Sequence, residues 1–239
     1  MIAMTLFIQE TLNPSDRPRL TVWDSCDDPL HGDSQTGERS FLALFEMIVH
    51  KTGKQKMTTY ISILRGINVS GQKMIKMDAL KQMYAELNFK NIHTYIQSGN
   101  VVFQNKKAKE PDLEKKISKK ILEQFGFEVP VLVRDIEYLK QVLKNNPFAK
   151  DKTKDISYLH VTFLSAIPEQ TKFDKVKDGQ YQEDEFHLSG NVIYLFCPNG
   201  YGNSKLSNNF FESKLKVVAT TRNWKTTNEL VSIAEKIEE

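Results

Sequence analysis

The chain has 239 residues, 40% hydrophobic and 26% charged, which is enough apolar material for a packed core and too much for wholesale disorder. No apolar stretch approaches the roughly 18 residues a membrane span needs; the most apolar run, Phe41 to Val49, contains Glu46, so no membrane partner is expected. The net charge of +3 permits an anionic partner without requiring one, and it hides a split: residues 1–56 carry 6 basic and 8 acidic side chains, residues 57–239 carry 27 and 22.

Met1-Ile2-Ala3-Met4 has no basic region ahead of an apolar stretch, so no export signal is expected and the chain is placed in the cytoplasm. Cys26 and Cys197 are too few for a disulfide framework and lack the neighbours of a metal site. Residues 1–56 read as a weakly ordered N-terminal extension: three prolines, an Asp-rich stretch from Asp24 to Asp33, and one helix from Ser40 to about His50.

From Met57 the pattern becomes regular. Tyr60 to Leu64 is a β-rich run, and Arg65 to Lys76 a polar loop. Met77, Leu80, Met83, Tyr84 and Leu87 recur at helical spacing, with Asn88 suited to a left-handed end. Two strands, His93–Gln97 and Val101–Gln104, meet at the turn Ser98-Gly99-Asn100. Pro111 marks the start of a helix whose stripe is Leu113, Ile117, Ile121 and Phe125, ended by Gly126. Val129–Val133 is a strand, and Asp135 caps a further helix that stops at Asn146-Pro147.

The order then recurs. Tyr158–Leu164 reads as a strand, a helix follows Pro168, and two strands join at Ser189-Gly190-Asn191. A helix from about Lys205 to Leu215 and a strand from Val217 to Thr221 lead to Arg222-Asn223 and a last helix. Ser-Gly-Asn-Val thus occurs at 98–101 and 189–192, an offset of 91, and the Arg134-Asp135 and Arg222-Asn223 junctions differ by 88. The expected fold is α+β, two duplicated ferredoxin-like halves (α/β-plait, split βαβ) at 57–150 and 151–239, with Gly99 matching Gly190.

Ile63-Leu64-Arg65-Gly66-Ile67-Asn68-Val69, Tyr95 to Phe103, Pro198-Asn199-Gly200-Tyr201-Gly202 with Ser204-Lys205-Leu206, and Ala219 to Trp224 resemble the bacterial family called domain of unknown function 1697. The resemblance runs from about Met57 to the C-terminus. It implies a duplicated α/β-plait and a cytoplasmic bacterial protein, and no established activity. Ser70-Gly71 stands where many members have Gly-Gly.

The candidate ligand-binding residues are Arg65, Asn68, Lys73, Gln97, Asn100, Asn199, Tyr201, Ser204, Lys205 and Arg222. Arg65 and Lys73 would bring charge, and Asn68 an amide, to a loop leading into a helix, where backbone N–H groups can hold an anion. The plainer reading is an Arg and a Gly-Asn turn that tie down the loop. The Asn199–Lys205 stretch has glycines that let backbone approach a ligand, Ser204 to cap the next helix, and Lys205 at its positive end; the plainer reading is a capped turn. Gln97 and Asn100 flank a hairpin turn and could add amides. Arg222 either braces the halves or faces a ligand.

Three functional readings follow. One is a binding protein for a phosphate-bearing small molecule or nucleotide in a cationic cleft between the halves, without a cofactor. Another is an acylphosphatase-like phosphoryl hydrolase with Arg65 and Asn68 or Asn100 orienting the anion and a water; it rests on fold analogy. The third is a non-catalytic structural or interaction protein. The five histidines lack metal-ligand spacing and no hydrolase triad is visible. Nucleic-acid binding has weak support, since neither paired aromatics nor an RNP pattern appears.

Overall fold

The computed structural model describes residues 57–239; the expected extension and its helix at 40–50 lie outside the described residues. Strand β1 (Met57–Leu64) is central to the first sheet because both its faces are apolar. Tyr60 and Leu64 point one way and Ile61 and Ile63 the other, as a period of two requires, and all four are buried. Around β1 lie β2 (Lys90–Tyr95), β3 (Asn100–Lys106) and β4 (Val131–Asp135) in the antiparallel order β2-β3-β1-β4. The second sheet holds β5 (Leu159–Leu164), β6 (Glu185–Ser189), β7 (Val192–Phe196) and β8 (Ala219–Asn223), in the order β6-β7-β5-β8.

Seven α-helices accompany the sheets among the described residues: α1 (Met77–Glu86), α2 (Glu110–Phe125), α3 (Ile136–Asn145), α4 (Pro147–Lys150), α5 (Gln170–Lys177), α6 (Asn208–Leu215) and α7 (Trp224–Glu238). The chain is therefore α+β, with two four-stranded antiparallel sheets. No described helix is long and apolar enough to cross a membrane.

Three apolar clusters hold these elements. Helices α1 and α2 cover one face of the first sheet through Leu80, Met83, Leu113, Ile117 and Ile121. Helices α5 and α6 cover one face of the second through Phe173, Val176, Phe211 and Leu215. The remaining faces share a third cluster: Ile61 and Ile63 meet Val161 and Phe163, closed by Ile136 and Leu139 of α3 and Leu230 and Ala234 of α7. Each fully buried Leu, Ile or Phe side chain contributes about 1.5–3 kcal/mol relative to exposure, so this shared cluster binds the two sheets firmly. Trp224, expected to open the apolar stripe of the last helix, packs partly buried against it.

The capping signals act where expected. Asp135 accepts from Tyr138 N at 2.8 Å to start α3, Asn223 accepts from Thr226 N at 2.7 Å to start α7, and Gly126 ends α2 at φ 79°. Two starts differ from expectation. Pro111 is the second residue of α2, after Glu110. Helix α6 begins at Asn208 rather than Lys205, because a 3-10 turn (Tyr201–Asn203) intervenes and Ser207, not Ser204, accepts from a helical N–H. Ser204 instead accepts from Leu206 N at 2.9 Å.

The two Ser-Gly-Asn segments form different turns. Gly190-Asn191 is a two-residue connection with left-handed φ (61°) at its first position, where glycine sits in type II′ turns. Ile96–Gly99 is a four-residue connection, left-handed at Ile96 (47°) and Gly99 (75°). Leu64 N donates to Gly99 O, whereas Leu164 N donates to Asn191 O. Strand pairing therefore sets Gly99 level with Asn191, one residue away from the expected match with Gly190. Gly99 is also confined: a Cβ there would lie 2.7 Å from Leu64 Cβ and 2.8 Å from Ile67 Cδ1, while Gly190 faces open space.

Candidate functional site

Each sheet sends one arginine across to the other. Arg134, in β4, donates from Nη2 to the carbonyl of Leu164 at the end of β5 (3.0 Å). Arg222, in β8, donates from Nη2 to the carbonyl of Leu64 at the end of β1 (2.7 Å). The surroundings of these two cations differ.

Arg134 is 5% exposed and meets two carboxylates of α2: Nη1 lies 2.9 Å from Glu114 Oε1 and 3.4 Å from Glu110 Oε2. Those carboxylates also accept from the backbone of Val133 (2.9 Å) and Asp135 (3.1 Å). The guanidinium sits over the Tyr138 ring, whose hydroxyl donates to Asn191 Oδ1 at 2.6 Å. Burial raises the Glu110 carboxyl above its usual range; Arg134 and the backbone N–H of Asp135 counter this, while the charges of Asp135 and Glu114 add to it. This is a neutralised brace.

Arg222 has only neutral partners. Nε donates to Asn100 Oδ1 (2.5 Å), Nη1 to Thr221 O (2.9 Å), and Nη2 also to Ser98 O (2.8 Å). Among the described residues it forms no ion pair with a carboxylate within 4.0 Å, and burial pushes its pKa down to about 10. The reason lies in the residues that stand where α2 and β4 carry acids. The first residue of α2 is Glu110, that of α6 is Asn208; four residues on stand Glu114 and Glu212; the cap of the next helix is Asp135 in one case and Asn223 in the other. Glu212, the one acid kept, is bound by Arg65 at 2.8 Å and accepts from Ala219 N at 3.0 Å. One junction thus has a single cation against three carboxylates, the other two cations against one.

An open cleft of about 590 Å³ lies at the second junction, lined by Arg65, Arg222, Ser98, Tyr201, Thr221, and Ser207, Asn208 and Asn209 at the start of α6, with Gly66, Ile67, Val69, Ser70 and Gln72 from the loop after β1. Arg65 Nη2 donates to Asn209 Oδ1 at 2.7 Å, and its Nε is buried without a partner. The Tyr201 hydroxyl donates to Thr221 Oγ1 (3.0 Å), which donates to Asn208 Oδ1 (2.7 Å); the Tyr201 ring stacks on His160 at 4.9 Å. Burial raises the Tyr201 phenol and lowers the His160 imidazole from their ordinary values.

Of the ten residues singled out from sequence, Arg65, Tyr201 and Arg222 line this cleft. Asn100 lies behind it, fully buried, holding Arg222. Asn68 pins its own loop: Oδ1 accepts from Ile75 N, and Nδ2 donates to Ile75 O and Gln97 O. Lys73 donates to Glu128 O, Asn199 to Glu183 Oε2, and Ser204 serves its local turn. Gln97 is exposed and offers its carbonyl to Asn68. The expectation that Lys205 joins Arg65 and Arg222 is corrected: with the helix start moved to Asn208, Lys205 lines a separate cavity of about 770 Å³ with Lys177, Tyr181 and His187. Ser98, Ser207, Asn208, Asn209 and Thr221 were not singled out. For Ser207, Asn208 and Asn209 the one signal is a polar run at a helix start, which ordinary capping also explains; Ser98 sits in a hairpin turn and Thr221 in a strand, with no such signal. Cys197 is buried and its thiol is pushed up to about 11, chiefly by burial, which keeps it protonated.

Comparison with known proteins agrees with this architecture. The conserved bacterial protein SP0830 from Streptococcus pneumoniae has a similar fold, with a TM-score of 0.54 and 22% identity over 75% of this chain and 99% of that one. No curated protein matches. The family profile described as protein of unknown function (DUF1697) matches residues 57–194, which include the Ile63–Val69 and Tyr95–Phe103 blocks and stop short of those at 198–206 and 219–224. With more than half its length matched, the chain belongs to the DUF1697 family.

Proposed function

We propose that the chain binds a phosphate-bearing ligand in the cleft at Arg65 and Arg222. The observation that carries this is the Arg222 guanidinium, half-buried, supplied with neutral oxygens alone, and set in the wall of an open cleft. A buried cation without a counter-ion is costly, and an anion from solution offsets that cost. Arg65 adds a second cation whose single acid is shared. Guanidinium groups suit phosphate because their planar N–H forks match its oxygens. The hydrolase reading lacks such support: the amides of Asn68 and Asn100, which would orient the anion and a water, are committed to the loop and to Arg222.

In the same reading the two sheets are duplicated ferredoxin-like halves. The equal strand order, the paired bonds from Arg65 N to Pro130 O and Ser165 N to Val218 O, and the two crossing arginines support it. The anion site is then the half-junction that lost its acids.

The test is thermal unfolding of the full chain with increasing inorganic phosphate at constant ionic strength. Phosphate raises the midpoint in the parent, as a ligand of the folded state must. Arg65→Gln weakens the effect by roughly 1.5–3 kcal/mol of binding free energy. A midpoint that phosphate leaves unmoved, or an equal response in the variant, overturns the proposal. Acetyl phosphate in the same series separates binding from turnover, and no turnover is expected.

A further inference from the structure

Resting on the reading of the cleft as an anion site, we infer that its ligand carries two linked phosphoryl groups, a diphosphate. The hydrogen-bonding balance of the wall points to this. Four of its polar side chains use an oxygen internally as an acceptor: Asn208 Oδ1 for the Thr221 hydroxyl, Asn209 Oδ1 for Arg65, Ser207 Oγ for Phe210 N, Ser98 Oγ for Asn100 Nδ2. The donors of the same four side chains, two amide NH₂ groups and two hydroxyls, have no partner among the described residues. The surplus of these four side chains is in donors, which fits a ligand rich in acceptors.

One of these residues adjoins each arginine. Asn209 adjoins Arg65 at 2.7 Å, and the Ser98 carbonyl adjoins Arg222 at 2.8 Å. Both arginines line the same cleft of about 590 Å³, which one phosphate would occupy only in small part. Two cation-and-donor centres in one cavity match two phosphoryl groups in one ligand. Recognition of an attached base is not built in: Tyr201 is the one aromatic residue lining the cleft among the described residues, and it is stacked on His160.

The experiment is titration calorimetry of the full chain, in metal-free buffer at constant ionic strength, with inorganic phosphate, pyrophosphate and ADP. Pyrophosphate is expected to bind at least about tenfold more tightly than phosphate. ADP equal to pyrophosphate means the diphosphate alone is read; tighter ADP means a diphosphate ester is preferred; either outcome supports the inference. Asn208→Glu places a carboxylate where α2 carries Glu110, and it is expected to lower pyrophosphate affinity about tenfold or more without lowering the unfolding midpoint of the free protein. Arg65→Gln is the second variant, should Asn208→Glu fail to fold, and the same loss is expected. Phosphate and pyrophosphate binding equally well would overturn the diphosphate and leave the anion site standing. Failure of both to bind would overturn both readings. Pyrophosphate binding untouched by either variant would place the ligand elsewhere and overturn the inference.

Discussion

Arg134 and Arg222 do the same mechanical task, each reaching from the last strand of one sheet to the first strand of the other. Around Arg134 the protein supplies its own anions, Glu110 and Glu114, and the guanidinium is shut in. Around Arg222 the corresponding positions are Asn208 and Glu212, the latter turned to Arg65, and the junction opens into a cleft. On the proposed reading, one arrangement serves as a brace at the first junction and as a receptor at the second. The backbone contacts are alike; the count of carboxylates decides whether the cation is paired from within the protein.

The largest test of this contrast is removal of the two arginines. Arg134→Met strands two partly buried carboxylates and the Leu164 carbonyl, and is expected to cost about 3–5 kcal/mol in urea unfolding. Arg222→Met strands only neutral acceptors and removes an uncompensated charge, so about 1–3 kcal/mol is expected. Equal losses would break the comparison.

The turns that receive these contacts give a second, smaller contrast. Gly99→Ala introduces a Cβ into Leu64 and Ile67 as well as an unfavourable φ, and overpacking of this kind costs about 1–3 kcal/mol. Gly190→Ala meets no atom within 4 Å, leaving the cost of positive φ alone, about 1 kcal/mol. A larger loss at Gly190 than at Gly99 would contradict the packing described.

The smallest effects are in pH dependence, and they have opposite signs at the two junctions. Glu110 has a raised folded pKa, so its stability contribution is full below the unfolded value of 4.5 and is lost as pH climbs through the folded one. Glu110→Gln should flatten that decline. His160, beside Tyr201, has a lowered folded pKa, so stability is lost as pH falls below 6.5 toward the folded value. His160→Gln should flatten that one. Unchanged unfolding midpoints across both windows in the two variants would remove these groups from the account.

Much of the fold is written locally. The alternation of Tyr60 to Leu64, the stripe of Leu113, Ile117 and Ile121, the caps at Asp135 and Asn223, and the left-handed Gly126 were legible because each depends on a few neighbouring residues. The helix expected at Lys205 starts at Asn208 instead, because Ser204 and Ser207 are equally good caps in isolation. The 3-10 turn after Gly200 determines which is used, and with it the separation of Lys205 from the two arginines. The repeated Ser-Gly-Asn suggested one shared turn, yet strand register, set by burial of the faces, displaced the two by one residue.

What the sequence determined by itself is the order of the strands and the longer helices, the caps at Asp135 and Asn223, and an arginine in the last strand of each sheet, since propensity, periodicity and capping act over a single turn of chain. What the tertiary structure decided is the state of those arginines. Glu212 can serve Arg65 or Arg222, residues 147 and 10 positions away in the chain, and only the approach of the loop after β1 to α6 assigns it to Arg65. Electrostatic pairing depends on distances in space, and that assignment leaves Arg222 facing the cleft without an acid.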